Sequence, residues 1–171
     1  MIIRLSQKLC TKIKAGKLEE MPLDKNPYAD WLSANLFVVD RTQCIILSNT
    51  ASLYSCVMYG KEISNGSRFI QRALDSIREF MEADGHAKIY QKHIAPATAP
   101  VSFAKSLNRQ VIGSMNELVI AASYKLKVDE SASHDLGFYL NEGLLSAIAT
   151  EGRNYGRPED AFKLLASREV K

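Results

Sequence analysis

Long apolar runs are missing from this chain of 171 residues. No stretch approaches the ~18 consecutive apolar residues that cross a bilayer. The opening "MIIRLSQKLC" has neither an extended apolar segment nor a small-residue cleavage site, so no export signal is expected. A cytoplasmic protein without a membrane partner is the expectation that follows, and "NGS" at Asn65 then has no meaning as a glycosylation acceptor. Cysteine is scarce and odd in number. Cys10, Cys44 and Cys56 stand far apart, which argues against a disulfide framework and against a zinc cluster. Buried free thiols in a reducing compartment fit them better. Of the three histidines, His86 and His93 could share a helical face, but no cysteine or neighbouring carboxylate completes a ligand set, so no metal is expected.

An excess of one charge is lacking too. With 22 basic and 19 acidic residues the net charge is +3, too little by itself to mark a nucleic-acid binder. No Gly-x-x-x-x-Gly-Lys loop, dinucleotide fingerprint or Gly-x-Ser-x-Gly elbow occurs, so no cofactor is expected. A cysteine and a histidine could form a nucleophilic pair, but no spacing singles one out.

What is present describes an ordinary globular body. The length fits one domain over 1–171, able to bury roughly 70% of the surface its unfolded form exposes. A content of 46% hydrophobic and 24% charged residues agrees. "MIIRL" reads as a strand and "SQKLCTKIKAG" as a helix ended by Gly16. The prolines of "EEMPLDKNPYADW" make a loop. Segments 35–39 and 43–48 flank "DRT" as a hairpin, and 53–59 gives a third strand. On that strand Leu53, Ser55, Val57 and Tyr59 face one way and Tyr54, Cys56 and Met58 the other; neither face is purely polar, so both sides of the sheet are expected to be covered. Phe69, Ile70, Ala73, Leu74, Ile77, Phe80 and Met81 repeat at helical spacing within 66–84, and Gly85 is placed to end that helix. "HAKIYQKHIAPATAP" adds a short helix and "VSFAK" a further strand.

A second principal helix spans 109–124. Its stripe of Ile112, Met115, Val119 and Ala122 should face the sheet, with Gly113 allowing close packing against a strand. Beyond Leu126 a polar link leads to one or two short helices, a glycine turn and a helix begun by Pro158. The expected fold is α+β: a mainly antiparallel sheet of four or five strands, packed by two principal helices, with C-terminal helices closing an edge. Residues 130–171 make a C-terminal helical extension to residues 1–125.

Two constellations carry chemistry. "KSLNRQVIGSMNELV" places Asn108 as the helix N-cap and Arg109 in the first turn, beside N–H groups without intrahelical partners. With Lys105 and Asn116 they make a candidate anion site, and a half-buried Asn116 would need partners for its amide. The second constellation is basic. Arg4, Lys8 and Lys12 recur every four residues within 1–18, where no acid occurs, and would line one edge of a helix. Arg153 and Arg157 flank Tyr155 in a turn, a grouping suited to phosphates and stacked bases. Solvated lysines on a docked helix, and a loop that docks its tyrosine, are the structural alternatives.

The ordered segments "IIRLSQKL", "NPYADWLSANLFVVDRTQCIILSN", "LYSCV" and "KSLNRQVIGSMNEL" resemble a family of uncharacterised bacterial proteins, some described as plasmid or mobile-element products. The shared pattern is Trp-x-x-Ala-Asn-Leu-Phe, met by Trp31 and Ala34 to Phe37, a basic hairpin with Arg41, and Asn-Arg-x-Val-x-Gly-x-x-Asn, met by Asn108, Arg109, Val111, Gly113 and Asn116. Where the family often has Lys-Thr-x-Asn-Arg, this chain has "KSLNR", with Ser106 supplying the hydroxyl. The resemblance bounds a family-like core over residues 1–125 and implies an α+β fold and a bacterial or phage origin, and it names no catalytic residue.

Two functions follow as expectations. One is a non-catalytic binding or regulatory module of a mobile element, phage or host, acting on an unidentified protein or nucleic acid. A phage inhibitor of a host defence is compatible with it, as is a homo-oligomer. The alternative is an enzyme on a phosphate-bearing or nucleotide substrate held by Asn108 and Arg109, with Lys105 assisting and Asn116 orienting. A pocket over Arg109 that holds Lys105 and a carboxylate or histidine favours the enzyme. A flat basic surface joining residues 4–17 to Arg153 and Arg157 favours nucleic acid.

Overall fold

Five strands build one mixed sheet in the computed structural model, which describes residues 1–106, 109–129, 133–149 and 152–168 without the side chains at 34–36, 129, 134, 167 and 168. The strands are β1 (Ile2–Leu5), β2 (Asp30–Val39), β3 (Thr42–Asn49), β4 (Ser55–Tyr59) and β5 (Ser102–Lys105), in the spatial order β4-β3-β2-β1-β5. The two longer ladders, β2–β3 and β3–β4, are antiparallel, and β1 joins β2 and β5 by short parallel ladders. This is the mainly antiparallel α+β sheet expected from the sequence. Asp40 and Arg41 both have positive φ, 45° and 68°, so the hairpin closes through a two-residue type I′ turn. Thr42 already pairs with Val39, which shortens the "DRT" turn by one residue.

Both faces of the sheet are covered. On one side Ile3, Leu5, Ile45, Leu47, Cys56 and Met58 pack with Leu9, Cys10 and Ile13 of α1 (Gln7–Ile13) and with Phe69, Ala73, Ile77, Phe80 and Met81 of α2 (Gly66–Ala83). On the other, Leu32, Val39, Cys44, Ile46 and Val57 meet Met115, Leu118 and Ala122 of α4 (Arg109–Asp129) and Leu136 and Leu140 of α5 (Ser133–Glu142). The two principal helices thus take opposite faces. Asn65 caps α2 by accepting the Arg68 N–H at 2.9 Å. At the far end Gly85 adopts φ +79°, and the Gly85 and His86 N–H groups return to the Glu82 and Met81 carbonyls, a Schellman closure. A brief α3 (Ala87–Ile89) and irregular helical turns through 97 follow.

The C-terminal helices close the β4 edge. The buried side chain of Asn141 on α5 accepts the Ser55 N–H at 2.7 Å and donates to the Ser55 carbonyl at 2.9 Å, so one amide replaces a missing neighbouring strand. A Cβ at Gly137 would lie 2.4 Å from Cε2 of Phe80, so glycine is what lets α5 approach α2. On α6 (Pro158–Arg168), Phe162 stacks on Tyr54 with ring centroids 4.3 Å apart and meets Tyr28, Trp31 and His86 edge-on.

Three local expectations fail. Gly113 faces open space and packs against no strand. Ile112 is 42% exposed, and the buried residues among the described ones of α4 are Ser114, Met115, Leu118 and Ala122. The polar link expected after Leu126 is still helix as far as Asp129. Among the described residues no helix is long and apolar enough to cross a membrane.

Candidate ligand cleft at the carboxyl ends of β1 and β5

β1 and β5 are adjacent and parallel, yet the chain leaves them in opposite directions. It passes from β1 into α1 on one face and from β5 into α4 on the other. Neighbouring parallel strands with opposite exits leave a crevice beyond their carboxyl ends, the place where open sheets seat ligands. A cavity of about 330 Å³ lies there. Leu5, Leu18, Leu32, Ile112 and Met115 give it an apolar lining, and Ser6, Gln7, Lys105 and Ser106 supply the polar groups. The Lys105 backbone is fixed from two sides: its N–H donates to the Glu19 carbonyl at 3.0 Å, and its carbonyl accepts from Arg4 at 3.2 Å. Its side chain stays exposed. The Ser6 hydroxyl caps α1 by accepting the Leu9 N–H at 3.3 Å.

Among the described residues of the anion site expected from the sequence, Lys105 alone reaches this cavity. Arg109 is exposed in the first turn of α4 and is not part of the lining. Asn116 is exposed, not half buried. Asn108 and its N-cap role lie outside the described residues.

The basic helix edge requires a correction at Arg4. That residue is on β1, 0% exposed, in a bidentate pair with Asp30: Nε to Oδ1 at 2.8 Å and Nη2 to Oδ2 at 2.7 Å. Its remaining donors go to the carbonyls of Met21, Pro22 and Lys105. Asp30 also accepts from the Asp24 N–H and the Thr50 hydroxyl. The period-four pattern crosses the strand-to-helix boundary at Ser6, so Arg4 and Lys8 never share a helical face. Lys8 is exposed on α1, and Lys12 donates to the Gln43 side chain. Arg153, Tyr155 and Arg157 are exposed around Gly156, whose backbone is bonded to Leu145 in both directions.

The family model for DUF6933, a domain of unknown function, matches residues 2–161. The chain belongs to this family. No curated protein matches it. The DUF6933 match takes in all five strands, every cleft residue and the first turn of α6.

Elsewhere in this DUF6933 chain the reactive residue types are held in structural roles. Cys10, Cys44 and Cys56 are free and buried. Burial pushes the Cys44 thiol up, and that of Cys56 up to about 12, which disfavours a thiolate nucleophile. Among the described residues no three His, Cys, Asp or Glu side chains gather as a metal set. Sequence reasoning missed one polar cluster entirely. The Tyr54 hydroxyl donates to Oδ2 of Asp84 at 2.5 Å, and Nε2 of the buried His86 stands 3.5 Å from the same oxygen without a hydrogen bond. Its signal in the sequence was only a histidine following the Gly85 helix stop.

Burial lowers the His86 pKa, against the opposing pull of Asp84. The unfolded chain therefore takes up the proton first. Stability is complete above the ordinary value of 6.5 and falls as pH drops below it. Thermal melts between pH 7.5 and 5 should show this decline, and His86→Phe should flatten it. An unchanged slope in the variant would assign the decline to other groups.

Proposed function

We propose that this protein is a non-catalytic binding module whose ligand is a small organic anion with an apolar body, held in the cleft between α1 and α4. The observation that carries the reading is the composition of the lining: five apolar residues, two serines, one glutamine and Lys105, with no carboxylate, histidine or cysteine among the described residues. Acid–base and nucleophilic chemistry need such a group within hydrogen-bond reach of the substrate. The Lys105 side chain is exposed. A surface for nucleic acid loses support with the burial of Arg4.

The volume is at the small end of ligand pockets, which suits a short amphipathic molecule. Two other hollows, of about 380 Å³ beside α2 and β4 and about 420 Å³ beside α4 and α5, are outside the strand-end crevice. The motif resemblance supports a bacterial mobile element, phage or host as the setting.

Calorimetry with octanoate and hexyl phosphate tests the proposal. Both should bind, and 1-octanol should bind more weakly. Lys105→Glu should weaken the anions by about tenfold or more, the loss of one charge-assisted contact. Met115→Trp should block all three. Affinity untouched by either variant would overturn the reading.

A further inference from the structure

The outer face of α4 has a pattern that the cleft does not use. Ile120, Tyr124 and Val128 are 69%, 65% and 59% exposed, large apolar side chains on the side of the helix opposite Met115, Leu118 and Ala122. Gly113, Glu117, Ile120, Tyr124 and Lys127 follow one another at spacings of four, three, four and three, the seam period of paired helices. All are exposed, and nothing comes within 4 Å of the place a Gly113 Cβ would occupy. Beside this seam runs the hollow between α4 and residues 139–145, with Tyr139 and Leu144 also exposed. Contiguous apolar surface of this kind marks an interaction site.

The sequence of the seam indicates what covers it. If two copies of α4 pack antiparallel about a two-fold axis at the level of Ala122, Ile120 of each copy meets Tyr124 of the other, and Glu117 of each meets Lys127 of the other. Apolar and charged positions are then complementary under one symmetry operation, as an isologous interface requires. Parallel pairing would set Glu117 against Glu117 and Lys127 against Lys127. Antiparallel packing also sets the two helix dipoles in opposition. We infer that the exposed face of α4 is the interface of an antiparallel homodimer, completed by Tyr139 and Leu144 on its flank.

The test is sedimentation equilibrium of the full chain across a concentration series. The wild-type protein should approach twice the 19.1 kDa chain mass. Glu117→Lys, which creates two repulsive pairs per dimer, should raise the dimer dissociation constant about tenfold or more. Lys127→Glu should do the same, and the Glu117→Lys/Lys127→Glu exchange should restore the wild-type value. Ile120→Asp should give a monomer with unchanged circular dichroism. A wild-type monomer at every concentration, or a dimer indifferent to the single charge changes, would overturn the inference. So would a weakened dimer that the exchange fails to restore, which would point instead to a different partner for this face.

Discussion

Arg4→Met is expected to lower the free energy of unfolding by about 3–5 kcal/mol, the cost of removing one member of a buried ion pair. The size follows from the wiring. All five guanidinium N–H groups are engaged, two by Asp30 and three by the carbonyls of Met21, Pro22 and Lys105. The substitution therefore leaves a carboxylate and three carbonyls facing an apolar side chain. It also severs the link between β1, β2, the end of β5 and the 21–24 loop. Replacing both partners often removes most of such a penalty. Here Arg4→Met/Asp30→Leu should recover only part of it, because the three carbonyls remain without donors and Asp24 and Thr50 lose their acceptor. Urea midpoints at constant slope measure the difference. Lys8→Ala, at an exposed position, should change stability by no more than about 0.5 kcal/mol. An Arg4→Met variant as stable as Lys8→Ala would show that the ion pair is not the clamp described here.

The second large effect belongs to Asn141→Leu. The side chain is nearly isosteric, so packing changes little, but the Ser55 N–H and carbonyl lose both partners in a buried place. Two unsatisfied backbone groups at roughly 1–3 kcal/mol each set the loss at about 2–6 kcal/mol. The Ser55 amide should exchange with solvent much faster than its neighbours on β4, because the edge opens there first. Unpaired edges also template association, so the variant should aggregate more readily on heating. Ser55 exchange unchanged from wild type would mean that α5 seals the edge by packing alone.

The elements were legible where periodicity is long or turns are explicit. The apolar repeat of α2 and its Gly85 stop, the two faces of β4, and the hairpin at Asp40 and Arg41 all follow from residue type and spacing. β1 was legible as a strand but not as the centre of the parallel pairing, since four residues carry no information about partners. The phase of α4 is hidden in the sequence because apolar residues occupy both its faces: Ile120, Tyr124 and Val128 outside dilute the stripe inside.

Site residues divide in the same way. Lys105 was visible as a basic residue at a strand end. The cleft was not, because it is made by the opposite exits of β1 and β5, a property of topology alone. Buried polar groups were the hardest to place. Arg4 looks like a surface charge and Asn141 carries no local signal, because their partners Asp30 and Ser55 are fixed by tertiary contact, while the only local sign of His86 is its place after the Gly85 helix stop. Several polar residues of the quoted motifs are of this structural kind. Asn26 donates to the His93 carbonyl, and Asn49 donates to the Pro27 carbonyl while accepting the Ala51 and Ser52 N–H groups.

Binding at the carboxyl ends of β1 and β5 is tested most directly by following backbone amide resonances while octanoate is added. The cleft predicts saturable shifts concentrated at Leu5, Gln7, Lys105, Ser106, Ile112 and Met115, and their loss in Lys105→Glu. Shifts centred on residues 139–145, or none at millimolar octanoate, would contradict it.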